Sequence, residues 1–139
     1  MAGKGFESLE HMADVKFKVV GISLAQVFEH AASAFSSYVA SGAKVSSTRK
    51  KVITVKGTDS ESLMYAFLDE LIYLLDAENF VVAKAKVSVS DTVLKAVLSG
   101  TSTKNLHLNH VKAATYAEMY IKKLPSKKES WEAQFVLDV

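Results

Sequence analysis

The stretch His11-Met12-Ala13-Asp14-Val15-Lys16-Phe17-Lys18-Val19-Val20 carries the first regular pattern in the chain. Val15, Phe17 and Val19 alternate with Lys16 and Lys18, the period of a strand with one face buried and one in water. Asp14 stands at the mouth of that strand with an imidazole three residues before it. Such a carboxylate is a loop cap, half of an ion pair or a metal ligand, and the local sequence leaves the three open.

Beyond Gly21 the period changes. Ser23 followed by Gln26 has the spacing of a capping box, and Leu24, Val27, Phe28, Ala31, Ala32 and Phe35 recur at helical intervals, which predicts a helix from about Ser23 to Val39. A polar stretch from Ser41 leads into a second alternating run, Lys51 to Lys56, with Val52, Ile53 and Val55 as its apolar content. After Gly57, Thr58 and Glu61 offer a second capping box, with Asp59 and Ser60 as competing caps. Leu63, Phe67, Glu70, Leu71 and Leu74, broadened by Met64, Leu68, Ile72 and Leu75, then define a central buried helix ending near Ala77 to Asn79.

The rest reads as strands. Phe80 to Asp91 alternates and turns at Thr92 into Val93 to Leu98, a strand pair; Gly100 to His110 is a polar loop. Val111 to Leu124 and Trp131 to Val139 flank Pro125 and a Ser-Lys-Lys-Glu-Ser turn as a terminal hairpin. Residues 1–5 are expected to be flexible, with a short extended segment around Phe6 and Leu9. The expected architecture is α+β: one domain over 1–139, a mixed or antiparallel sheet with two main helices on one face, built as two β-α-β-like halves.

Composition narrows the chemistry. A chain of 139 residues, 49% hydrophobic and 23% charged, holds one real core. The absence of cysteine removes disulfides, thiolate metal sites and a cysteine nucleophile, so a metal here must use oxygen or imidazole. No run approaches the roughly 18 apolar residues of a membrane span, and the first twenty residues lack a signal-peptide block. A cytosolic protein is expected, or a nuclear one in a eukaryote.

A formal charge of +2 with Arg49 as the one arginine argues against an arginine-rich nucleic-acid motif. Lysines cluster at Arg49-Lys50-Lys51, Lys122-Lys123 and Lys127-Lys128, which would make a basic face if the fold brought them together; each cluster reads first as a solvated loop or strand end. His30 reads as an exposed or edge histidine of the first helix. Asp69, Glu70 and Asp76 read as a solvated acidic helix edge ahead of a catalytic carboxylate set. His107-x-x-His110 lacks further ligands nearby and is a weak metal signal.

Several segments together resemble one family. His11-Met12-Ala13-Asp14-Val15 is similar to the His-Thr-Ala-Asp-Val signature of the archeases, and Leu24, Phe28 and Ala31-Ala32 follow at the expected distance. Leu68-Asp69-Glu70-Leu71-Ile72-Tyr73-Leu74 resembles the family's second helix. Val111-Lys112-Ala113-Ala114-Thr115-Tyr116 resembles its Val-Lys-Ala-Val-Thr-Tyr, and Trp131 through Leu137-Asp138-Val139 resembles its ending. Met12 departs from the usual threonine, and Ala117 from the histidine that many members carry there.

The resemblance implies a non-catalytic activator of the tRNA-splicing RNA ligase, which joins a 2′,3′-cyclic phosphate or 3′-phosphate end to a 5′-hydroxyl end in tRNA splicing and RNA repair. It implies promotion of ligase guanylylation and multiple turnover, with RNA met only through the ligase and no membrane role. It also implies a metal site of Asp14, Asp138 and a main-chain or terminal oxygen of Val139. Oxygen ligands without sulfur favour calcium, with magnesium or manganese as alternatives. Lys112 is expected to contact ligase, guanylate or phosphate, and His11 to position the site. The competing reading is a chaperone-like interaction module whose carboxylates only stabilise the fold; an independent metal-dependent hydrolase lacks a nucleophile or phosphate loop.

Overall fold

In a computed structural model, described over residues 13–125 and 130–139, the opening alternation becomes β1 (Asp14–Gly21). Val15 and Val19 are each 8% exposed, while Lys16 and Lys18 point to solvent. The segment around Phe6 and Leu9, together with His11, Met12, Lys127 and Lys128, lies outside the described residues.

Helix α1 (Leu24–Val39) starts where the sequence places it. Ser23 Oγ accepts from Gln26 N at 3.1 Å, and Gln26 Oε1 accepts from Ile22 N at 2.8 Å, so the reciprocal bond falls one residue before the cap. Helix α2 (Ser60–Glu78) corrects the expected Thr58–Glu61 box: its cap is Asp59, one of the competing residues. Asp59 Oδ1 accepts from Ser62 N at 2.8 Å, and the Asp59 N–H donates to Ser62 Oγ at 3.1 Å. A carboxylate at this position also favours the positive end of the helix dipole, which explains why it prevails over the threonine. The helix stops at Asn79, in the left-handed region at φ 51°, whose N–H reaches Leu74 O.

The remaining strands are β2 (Arg49–Lys56), β3 (Phe80–Ser90), β4 (Val93–Ser102), β5 (Ala113–Lys123) and β6 (Trp131–Asp138). The α+β class and the two helices are as read from the sequence. All strand pairs are antiparallel, and they divide into two three-stranded sheets, β1-β6-β5 and β2-β4-β3. One expected β-α-β-like half is present, β2-α2-β3 within the second sheet with β4 inserted between its two strands, whereas α1 leads from β1 in the first sheet to β2 in the second, so the other half crosses between sheets. Strand β4 also runs to Ser102, into the region expected to be loop, because β3 starts at Phe80 and pairs with it there. Gly100 permits that close pairing: a Cβ on it would lie 2.1 Å from Val81 O.

Each helix ties the two sheets together. Glu29 of α1 accepts the backbone N–H of Val87 on edge strand β3 at 2.8 Å, and the neighbouring His30 donates from Nδ1 to Val20 O on edge strand β1. His30 is exposed, as expected, and is spent on this backbone bond. On α2, Tyr65 stacks on Tyr116 of β5 with ring centroids 4.5 Å apart, and Glu78 pairs with Lys51 of β2 at 2.5 Å. The core between them includes Phe28 and Phe67, both fully buried and packed edge to face at 5.7 Å. Such a pair contributes about 0.5–1.5 kcal/mol beyond its buried area.

Candidate metal-binding tip

Asp14 is the first residue of β1 and Asp138 the last of β6, and antiparallel pairing sets them directly opposite one another. The Val139 N–H donates to Ala13 O at 2.9 Å, so the two aspartates form a non-hydrogen-bonded pair. In that pair type the Cα atoms come to about 4.5 Å and the side chains stand closest on a shared face. Asp14 is exposed, and Asp138 and Val139 are half-buried.

Strand β6 lies between β1 and β5, so the same end of the sheet also receives the approach to β5. The Lys112 N–H donates to Asp138 O at 2.7 Å, and Ala113 pairs with Asp138. Asp14, Asp138, Val139 and Lys112 are therefore gathered at one tip from three places in the sequence. Lys112 is exposed and precedes β5. His11 lies outside the described residues.

The electrostatics of the tip follow from this register. Like charges directly opposite in a ladder destabilise it, on the order of 0.2–1 kcal/mol. The nearest lysine along the same face of β1, Lys16, is paired at 2.7 Å with Glu118 of β5, and neither ion pair among the described residues involves Asp14 or Asp138. Two carboxylates set opposite one another form a hard-oxygen donor pair, suited to an alkaline-earth ion and unsuited to a thiophilic one.

Among the described residues no group of three or more His, Cys, Asp or Glu side chains gathers in metal-binding fashion. Among the described residues the tip thus has two side-chain donors, and the main chain of Val139 is the further oxygen source beside them. His107 and His110 are both exposed and form no such group, and Asp69 and Asp76 face solvent.

Three features here were not read from the sequence. Residues 116–119 of β5 stand opposite the single residue Phe135 of β6, a wide bulge holding Glu118 at φ 55°. Ala117, the departure from the family pattern, sits in this bulge and not at the tip. Beside Lys112, a cleft of about 310 Å³ is lined by Asp76, Asn79, His110 and Val111 among others. Further along the sheet, Tyr120 donates to Glu132 Oε2 at 2.5 Å. Neither bulges nor cross-strand contacts leave a period in the sequence.

Comparison with known proteins covers the whole arrangement. A model of the Archease protein family matches residues 6–139. Protein archease of Methanosarcina acetivorans is 33% identical over 145 residues, spanning 99% of this chain and 97% of that one. Its counterpart in Pyrococcus furiosus is 35% identical over 141 residues, spanning 96% and 98%. The solution structure of Methanobacterium thermoautotrophicum Protein 1598 superposes with a TM-score of 0.73 at 27% identity, covering 97% of this chain and 99% of that one. With the family pattern matched from before β1 to the end of β6, the chain belongs to the archease family.

Proposed function

We propose that this protein is a non-catalytic activator of the RNA ligase that joins 3′-phosphate or 2′,3′-cyclic phosphate ends to 5′-hydroxyl ends in tRNA splicing and RNA repair. It promotes guanylylation of the ligase and its multiple turnover, and it acts in the compartment where that ligase works, the cytoplasm or, in a eukaryote, also the nucleus. The observation that supports this reading is the opposition of Asp14 and Asp138 at an exposed sheet end, in a chain of the archease family.

The tip fits a divalent ion held by the Asp14 and Asp138 carboxylates with a main-chain oxygen of Val139, calcium first and magnesium or manganese as alternatives. Bound there, the ion supplies a positive centre with affinity for oxygen. The chain's own residues do the rest: the β1–β6 ladder fixes the carboxylates on one face, and the Lys112 N–H holds Asp138 O, so the tip is preorganised before a partner arrives. The Lys112 ammonium, free in solvent beside the tip, is placed to meet a phosphate or an acidic group of the ligase.

A ligation time course with substoichiometric ligase tests the proposal. Adding this protein is expected to carry product beyond one equivalent of ligase, and Asp14→Ala or Asp138→Ala is expected to remove that stimulation while circular dichroism shows an intact fold. Full stimulation by both variants would leave the interaction-module reading in its place.

A further inference from the structure

The strands of the β2-β4-β3 sheet contain no aspartate or glutamate. Their register assembles its solvent face in rows: Lys50, Ser99 and Lys84; Val52, Val97 and Lys86; Thr54, Lys95 and Ser88; Lys56, Val93 and Ser90. All five lysines are exposed, and neither ion pair among the described residues engages them. Asp91, in the turn between β3 and β4, is the carboxylate at the rim. Five positive charges exceed the +2 of the whole chain, so the remainder of the molecule is net acidic; the β1-β6-β5 strands carry four basic and four acidic residues, and α2 carries five acidic residues and no basic one. The chain's small net charge conceals this, because lysines that share a face alternate with apolar residues along separate strands.

We propose that this face binds the phosphate backbone of double-helical RNA without reading its sequence. Successive rows are two residues apart, about 6.8 Å, so the lysines extend over roughly 20 Å of sheet. Their long side chains can follow a duplex backbone while Thr54, Ser88 and Ser99 offer hydroxyls to phosphate oxygens. An acidic protein is the poorer fit. Protein interfaces are depleted in lysine and centred on aromatic, Met or Arg anchors, whereas this face has no aromatic residue and its exposed apolar centre is the Val52–Val97 pair. Lack of a ring on which to stack bases likewise disfavours a single strand. The face owes nothing to the metal-tip reading except the choice of RNA over DNA.

The test is titration of a labelled RNA hairpin with the protein alone, in EDTA, without ligase, at several salt concentrations. Binding is expected to weaken with salt, with a log–log slope of roughly 0.7–0.9 per phosphate contacted. K84E/K86E and K50E/K95E are each expected to weaken binding at least tenfold at low salt and to lower the slope by about two. The neutral K84Q/K86Q carries the same test if charge reversal disturbs the sheet. Absence of salt-dependent binding, unchanged binding by these variants, tighter binding of a DNA hairpin, or equal competition by polyglutamate would overturn the proposal. Because neither metal nor ligase is present, such a failure leaves the ligase-activator reading standing, and failure of that reading leaves hairpin binding unaffected.

Discussion

Lys16 Nζ donates to Glu118 Oε1 at 2.7 Å, reaching from β1 to the β5 bulge across the intervening β6. The pair passes over Val136, which faces the solvent side of the sheet yet is only 3% exposed. Both side chains are half or more exposed, so the pair adds little stability, within roughly 1 kcal/mol. Its consequence is positional: the cation two residues from Asp14 is committed elsewhere.

Asp14→Asn and Asp138→Asn are each expected to stabilise the metal-free protein by roughly 0.2–1 kcal/mol, since each removes one of two opposed charges. Thermal melts in EDTA and in calcium measure this. The unaltered protein should gain stability with calcium, by about 2.7 kcal/mol at a hundredfold excess over Kd, and the variants should gain little. An equal calcium response in all three proteins would exclude the tip as the site.

Lys112→Ala is expected to retain the fold, because the residue's structural bond to Asp138 O comes from its backbone. A melting temperature unchanged within a degree or two, combined with reduced ligase stimulation, would assign the loss to the ammonium. Undiminished stimulation would make Lys112 a solvated lysine.

Tyr120 gives the alkaline limb of stability a defined cause. Its hydrogen bond to the Glu132 carboxylate, with burial and the carboxylate's charge, raises the phenol above 10.0. As pH climbs past 10 the unfolded chain gives up this proton before the folded one does. The contribution to folding is therefore complete below pH 10 and disappears as pH rises through the folded value. Tyr120→Phe should be less stable than the parent near neutrality, with the two urea midpoints converging at strongly alkaline pH; a constant gap would refute the linkage.

Gly100→Ala is expected to destabilise by about 3 kcal/mol or more, since the new methyl group would meet Val81 O at 2.1 Å and Phe80 Cζ at 2.8 Å. Urea unfolding measures it, and a loss below 1 kcal/mol would show that β3 shifts freely against β4.

Much of this was legible in the sequence. Val15, Phe17 and Val19 announced β1 by period, Ser23 announced the start of α1, and the family pattern singled out Asp14 and Asp138, whose juxtaposition follows from the pairing of β1 with β6. The division into two sheets was not legible, because strand periodicity reports which face is buried and not which strand lies alongside. The same gap hid the lysine face, which exists only once Lys50, Lys84, Lys86, Lys95 and Lys56 are in register. The second cap lies one residue beyond Thr58 because Thr58 and Asp59 are both competent acceptors, and the carboxylate's advantage at the helix dipole leaves no mark in the capping-box spacing.

The side chains of Glu29 and His30 bear on self-association. An exposed sheet edge offers its unpaired N–H and C=O groups to any other extended chain. By taking the Val87 donor and the Val20 acceptor, two adjacent residues of one helix occupy positions on β3 and β1 that a strand from a second molecule would otherwise use. Replacing both would leave the fold's topology intact and open two templates for aggregation.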